Sequence, residues 1–389
     1  MAEVTLRRGE ENDIYKGHLW IYDNEVEGIR GEFEPGDIVD VVSARGRFLG
    51  RGYINPKSKI LVRLMTGKKE EIDRGFLKRK IEDAVNLRKK LGLDSAYRVV
   101  FGEADYLPAL IVDKFADCLV IQTLALGIDR MKKDIVEILS ECYHPRCIYE
   151  RNDVPIRRKE GLELTTGALF GQSPGVVEIE ENGIRMLVDI ENGQKTGYFL
   201  DQRENRAAIE PYVRGCEVLD CFCHTGGFAL HAAKFGASAV EAVDISEPAL
   251  EFVKQNAALN GFETITAKQA NVFDLLKGYQ DQKRLFDTVV LDPPAFCKTK
   301  SALPGAYRGY KEINLRAMKL IRPGGFLITC SCSHFMTPDL FLKMLSEASA
   351  DVRVASRIIE IRYQAKDHPV AVNADESLYL KCVILQILG

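Results

Sequence analysis

No run of about eighteen or more apolar residues occurs in this 389-residue chain, so the sequence offers no membrane-spanning helix. Its first residues, MAEVTLRRGE, lack the apolar stretch of a secretory signal, and the expected location is the cytoplasm. Disulfides are not expected. Ten cysteines are too thinly spread for a small cross-linked scaffold, and a cytosolic chain keeps them as thiols. The pairs Cys221/Cys223 and Cys330/Cys332 enclose a single residue, where zinc knuckles usually enclose about two to four, so no metal site is expected. A strong net charge is missing too: the balance is −3, which argues against a protein that merely coats nucleic acid.

What charge there is lies unevenly. Residues 51 to 90 carry thirteen Lys and Arg against five acids, a stripe that suits either phosphates or a solvated helix face. Domains usually span about 100 to 200 residues, so two or three are expected. Residues 4 to 66 read as short extended runs broken by Gly, Pro and Asn, a small β-rich module. From Ile72 to Leu93 the apolar positions take a helical period. A middle segment follows, with extended runs from Leu107 and Cys118 and a helix around Met131 to Cys142, giving an α+β region.

From Glu217 onward, apolar β-branched runs alternate with amphipathic helices. Strands are expected at Glu217 to Phe222, Ala239 to Asp244, Thr264 to Gln269, Phe286 to Asp292 and Gly325 to Cys332. That rhythm predicts a parallel, doubly wound α/β sheet of Rossmann-like type. Two late runs, Val352 to Arg362 and Ser377 to Leu388, have no crossover helix between them and predict an antiparallel edge.

The chemistry-bearing motifs fall at the predicted strand ends, where open α/β sheets place ligands. VLDCFCHTGGFALHAA, from Val218, is a buried strand, an acid, a Thr-Gly-Gly turn and a helix whose free amides form a positive end. A dinucleotide site would carry G-x-G-x-x-G, which is absent, and an Asp in the turn region would repel pyrophosphate. Asp244 ends the next strand, where a carboxylate accepts from both ribose hydroxyls; capping the following helix is its plainer role. Asn271, Val272 and Asp274 follow the third strand and could frame an adenine edge, although capping explains Asp274 as well. The fourth strand ends in Asp292-Pro-Pro, a rigid lip suited to holding a flipped-out base. The fifth ends TCSCS, making Cys330 and Cys332 candidate nucleophiles that share a face while the strand stays extended.

Taken together, DCFCHTGGF, Asp244, NVFD, LDPPAF and TCSCS resemble the class I methyltransferase fold of RNA (cytosine-5)-methyltransferases, most closely the RlmI type that acts on large-subunit ribosomal RNA. GQKTGYFLDQRENR, from Gly193, is similar to a signature of that group, and GHLWIYDNEV with PGDIVDVV is similar to a PUA module, an RNA-binding domain. The resemblance implies three parts: a PUA-like domain at 1–70, an α+β middle domain at 71–180 and a methyltransferase domain at 181–389. It implies S-adenosyl-L-methionine as cofactor, held by the loop of Asp220, Phe222, Thr225, Gly226 and Gly227, by Asp244 at the ribose and by Asn271 and Val272 at the adenine. It places Asp201, Gln202 and Arg203 at the same pocket, where Arg203 could pair with the cofactor's carboxylate or be an ordinary surface arginine. In the family the nucleophile is the seventh residue after the Gly-Gly before the fifth strand, which is Cys332 here.

Many members carry a helper cysteine directly after the Asp-x-Pro, and here that place is Ala295, as in the RlmI subgroup; Cys297 lies two residues further on. The expected reaction is addition of the Cys332 thiolate to carbon 6 of a cytosine, with Asp292 supporting the ring and carbon 5 taking a methyl group. The expected partner is large-subunit ribosomal RNA, with a homodimer left open. Methylation of a ring or exocyclic nitrogen, at guanine N7 or adenine N6, is the rival chemistry and needs no cysteine. A non-catalytic RNA-binding assembly factor is the rival of another class.

Overall fold

The structure is a computed structural model that describes residues 1–374 and 377–388. It divides into two compact units, one comprising Met1–Ile179, Val188–Leu200 and Lys366–Ser377, the other Glu180–Leu187, Asp201–Ala365 and Leu378–Gly389. Among the described residues, no helix is long and apolar enough to cross a membrane.

The first unit holds two sheets. One runs β2-β6-β5-β4-β1-β3, built from β1 (Glu3–Leu6), β2 (Trp20–Tyr22), β3 (Val26–Arg30), β4 (Ile38–Val42), β5 (Phe48–Ile54) and β6 (Ile60–Thr66). The other runs β11-β10-β9-β8-β7, from β7 (Ala96–Phe101), β8 (Leu110–Phe115), β9 (Cys118–Thr123), β10 (Cys147–Asn152) and β11 (Thr165–Gly171). Tyr53 and Met65 of the first sheet share one buried cluster with Phe76, Ile81 and Val99, so the two sheets lie in a continuous core. A buried carboxylate, Glu160, joins them as well, accepting from Asn55, Ser58 and Arg63. A pair, β12 (Val176–Glu181) and β13 (Ile184–Asp189), follows across an Asn182-Gly183 turn, both residues in the left-handed conformation such turns need.

The helix Arg74–Lys90 carries much of the basic stripe, and the structure shows what the stripe does. Arg74 and Lys78 reach Glu141, Arg79 reaches Glu70, and Arg51 reaches Asp40. Arg88 is fully buried, its guanidinium forked onto Asp105 and a third bond made to the Asp367 carbonyl. Much of the charge is therefore spent within the fold, and the reading of the stripe as a phosphate track is correspondingly narrowed.

The second unit is a seven-stranded sheet in the order β16-β15-β14-β17-β18-β20-β19. Its strands are β14 (Glu217–Cys221), β15 (Ala239–Asp244), β16 (Ile265–Gln269), β17 (Phe286–Leu291), β18 (Ile321–Ser331), β19 (Ser356–Arg362) and β20 (Lys381–Ile387). The first five are parallel, and β20 runs antiparallel between β18 and β19. β14 lies in mid-sheet, and the strand order reverses between it and β17, so the switch point opens there. β18 begins four residues before the Gly325 expected from the sequence. Pro-Gly-Gly reads as a turn, yet a Cβ at Gly325 would lie 2.3 Å from the Asp287 carbonyl, so this glycine admits a close backbone approach between strands. At its other end β18 stops at Ser331, one residue before Cys332.

Under this sheet His231 is fully buried on the helix Gly227–Lys234. Its Nδ1 lies 2.7 Å from the Gly227 carbonyl and its Nε2 2.9 Å from the Asn182 amide, a neutral ring with both nitrogens satisfied. Burial pushes the imidazole down to about 4. The unfolded chain therefore binds a proton between its ordinary value of 6.5 and about 4 that the folded chain refuses. Stability must fall as pH drops through that window, by on the order of 3 kcal/mol when fully lost. Urea unfolding of the full chain at neutral and mildly acidic pH should show this loss, and His231→Gln should flatten it; a wild-type stability flat over the window would contradict it.

Candidate functional site

The loop after β14 is strained. Phe222 and His224 sit at φ 62 and φ 50 without being glycine, at a cost of about 1–3 kcal/mol each. Gly226, at φ 90, takes the same region freely. The anchors are Cys223 N to Val243 O at 3.0 Å, Gly226 N to Cys223 O at 2.8 Å and His224 N to the Asp244 carboxylate at 2.9 Å. Thr225 is buried at the helix start and its carbonyl accepts from Asn256, while Gly227 opens the helix.

Asp220, at the end of β14, is fully buried. One carboxylate oxygen takes the Ala229 amide at 2.9 Å, and the other is buried with no hydrogen-bond partner. Burial, and then the negative Asp292 nearby, hold its carboxyl well above the usual range. An orphaned acceptor at that depth calls for a donor, preferably a cation. The α-ammonium of an amino-acid ligand fits it, and so the methionine end of S-adenosylmethionine fits the site.

Asp244 stands at the tip of β15, half-buried, and its two oxygens accept from His224 N and Ser246 N, each at 2.9 Å. Each oxygen keeps a second lone pair for a ribose hydroxyl. The capping of helix Glu247–Asn260 falls to Ser246 instead, whose hydroxyl accepts from Ala249 N. Asn271 is exposed and caps Val272–Asp281 through Phe273 N at 2.9 Å. Val272 is 3% exposed, its side chain packed within the core, which leaves its backbone as the part open to a ligand. Asp274 lies in the first turn of that helix, where a carboxylate opposes the positive end.

The three residues named for the same pocket from the upstream signature lie together, all nearly buried. Asp201 accepts from the Tyr379 hydroxyl at 2.5 Å. Gln202 donates to Asp292 at 2.9 Å and accepts from Asn205, tying this turn to the lip of β17. Arg203 opens a short helix, and its carbonyl accepts from Asn182.

The tips of β17 and β18 meet. Asp292 N donates to Cys221 O at 3.3 Å, fixing the lip against β14. The Cys332 sulfur, partly exposed, lies 3.9 Å from the carbonyl of Pro293, the residue after Asp292. The other two thiols separate from it. Cys330 is fully buried opposite Cys382 in the β18–β20 ladder, and burial pushes its thiol far up, so the shared face expected of Cys330 and Cys332 ends where β18 does. Cys297 is 3% exposed, with its sulfur 3.1 Å from the Thr299 carbonyl, packed in the core.

The turn that carries Cys332 is held by groups that motif spacing did not single out. The Ser333 hydroxyl bonds the Tyr310 hydroxyl at 2.9 Å and accepts from Cys297 N at 3.1 Å. The Ser333 carbonyl accepts from Lys381 at 2.8 Å. One signal was visible: a lysine inside the largely apolar run YLKCVILQIL is rarely buried without a task.

Two family profiles match: a PUA-like domain over residues 4–67 and an S-adenosylmethionine-dependent methyltransferase over residues 161–376. Fold and profiles together define an S-adenosylmethionine-dependent methyltransferase with a PUA-like domain ahead of it. Among its relatives are the "Ribosomal RNA large subunit methyltransferase I" of Shewanella amazonensis, 44% identical over 99% of both chains, and that of an Enterobacter species, 42% identical over 98% of both. The chain belongs to the ribosomal RNA large subunit methyltransferase I family. A methyltransferase solved in complex with SAH superimposes with a TM-score of 0.87 over 99% of this chain and 100% of that one, at 22% identity. A SAM-dependent methyltransferase from Streptococcus mutans does so with a TM-score of 0.85 over the same shares, at 21% identity. These two speak for the fold. The protein is an enzyme, and its cofactor is S-adenosylmethionine.

With Asp244 as the ribose acceptor, Asp244→Ala removes charge-assisted hydrogen bonds of about 1.5–3 kcal/mol, roughly tenfold to a hundredfold in Kd. Isothermal titration with S-adenosylmethionine reads this directly, and an unchanged Kd would exclude the role.

Proposed function

We propose that this enzyme methylates carbon 5 of a cytosine in 23S ribosomal RNA, with Cys332 as nucleophile. The supporting observation is the partly exposed Cys332 sulfur beside the Asp292-Pro-Pro lip. The curated relatives' name supports the RNA. On this reading large-subunit ribosomal RNA is the partner and the cytoplasm the setting, and sedimentation of the purified chain decides between monomer and homodimer.

A cytosine's carbon 5 is a poor nucleophile until carbon 6 is attacked. The Cys332 thiolate forms a bond to carbon 6 while Asp292 holds the polar edge of the ring. Electron density then moves onto carbon 5. S-adenosylmethionine, when bound, supplies the electrophilic methyl group for such a carbon; Asp220, Asp244, the 222–227 loop, the Asn271–Val272 turn and the Asp201–Arg203 segment would hold it. The carbon 5 proton then passes to water, its bonding electrons re-form the carbon 5–carbon 6 double bond, and the Cys332 thiolate is expelled from carbon 6, restoring the aromatic ring. Cys297, tied into the core, does not stand in for the helper thiol absent at Ala295.

Cys332→Ala should abolish methyl transfer while leaving S-adenosylmethionine affinity intact, measured with labelled cofactor and by titration. Wild-type enzyme on RNA containing 5-fluorocytosine should stall as a covalent complex, because the fluorine cannot leave as a proton does. Full activity of the alanine variant, or no trapped complex, would overturn the reading in favour of a nitrogen target. No transfer by the wild type to any ribosomal RNA would instead point to an assembly factor.

A further inference from the structure

We infer that Lys381 is a positioning residue for the nucleophile: its buried ammonium, set on β20 beside the turn that carries Cys332, keeps that thiol as a thiolate and fixes the turn. The inference rests on the reading of Cys332 as the attacking group. Lys381 is 1% exposed and faces Ser331 in the β18–β20 ladder. Its Nζ donates to the carbonyls of Ser333 at 2.8 Å and Tyr379 at 2.9 Å. Both acceptors are neutral, and among the described residues no carboxylate lies within ion-pair distance of it. A buried ammonium lacking a counter-charge is costly and stabilises any anion formed beside it.

Burial drives Lys381 down to about 8, and a negative Cys332 pulls it back up. The attraction is mutual, so the cation draws the thiol toward its ionised form. Tyr310, Cys330, Cys382 and Asp292 bring no positive charge to the turn. Tyr310, from the helix Leu303–Lys319, is pushed up to about 12 and stays neutral. Cys330 and Cys382 are buried thiols on β18 and β20. Asp292, from β17, opposes a second negative charge. The Lys381 charge offsets that opposition, while its hydrogen bond to Ser333 and the Tyr310–Ser333 pair clamp the turn from two elements. The thiol proton passes to solvent before attack, and Lys381 keeps its own three.

The test uses the full chain as wild type, Lys381→Met and Lys381→Arg, with iodoacetamide alkylation of the Cys332 peptide followed by mass spectrometry across pH. The wild-type profile should have its midpoint below the ordinary thiol value of about 8.5. Lys381→Met should slow alkylation at neutral pH by about tenfold, one unit of midpoint, and Lys381→Arg should restore most of it. An unmoved profile in Lys381→Met, or equal impairment in both variants, would overturn the inference. So would a wild-type midpoint at or above the ordinary value, a result that stands even if a variant fails to fold. Trapping on 5-fluorocytosine RNA separates the two proposals. A trapped wild-type complex with an unmoved profile sinks only the role of Lys381. A shifted profile without trapping keeps the charge pairing and sinks the cytosine-5 reading.

Discussion

The parallel ladder between β17 and β18 decides where the chemistry can occur. Leu291, the last residue of β17, pairs with Thr329, and β18 runs only two residues further, to Ser331, so the two tips lie side by side. Asp292-Pro-Pro then stops β17 as a stiff lip, and Cys332 follows one residue after β18 ends. The sulfur's approach to the Pro293 carbonyl is a consequence of that register. A slip of one residue would exchange the partly exposed Cys332 for a side chain of the opposite face.

Around this point the fold spends energy to keep polar groups poised. The loop 222–226 holds two non-glycine residues in left-handed conformations, Asp220 keeps a buried oxygen without a donor, and Lys381 is buried on neutral acceptors. Each is unfavourable in isolation. Each is bounded by elements that would be satisfied by a ligand or an intermediate: an ammonium at Asp220, ribose hydroxyls at Asp244, a thiolate at Lys381. The cost is carried by well-packed cores on both faces of the sheet, with Leu219, Val289 and Leu327 in one cluster and Val218, Val290 and Ile328 in the other.

Much of the second unit was legible because its signals are local. Ala239–Asp244 is the strand expected, since a β-branched run ends in an acid and a capped helix. Asp220, Asp244 and Asp292 were singled out because strand ends are where such sheets bind ligands, and Cys332 was preferred to Cys330 only through the family resemblance. What stayed hidden depends on distant pairing. Lys381 meets the Cys332 turn only because β20 returns antiparallel beside β18, and Gln202 reaches Asp292 across 90 positions. The start of β18 at Ile321 rather than at Gly325 stayed hidden too, because glycine's use in a close approach between backbones leaves no periodic trace. The ion pairs within the basic stripe were hidden for the same reason, since Glu141, Asp40 and Glu160 reach it from elsewhere in the sequence.

The most direct measurement is mass spectrometry of 23S ribosomal RNA from cells with the gene intact, deleted, or restored with the Cys332→Ala variant. One cytosine should carry a methyl group on carbon 5 in the intact cells and lack it in the other two. A methyl group on a purine or on a ring nitrogen, or a modified cytosine that persists with the alanine variant, would contradict the account.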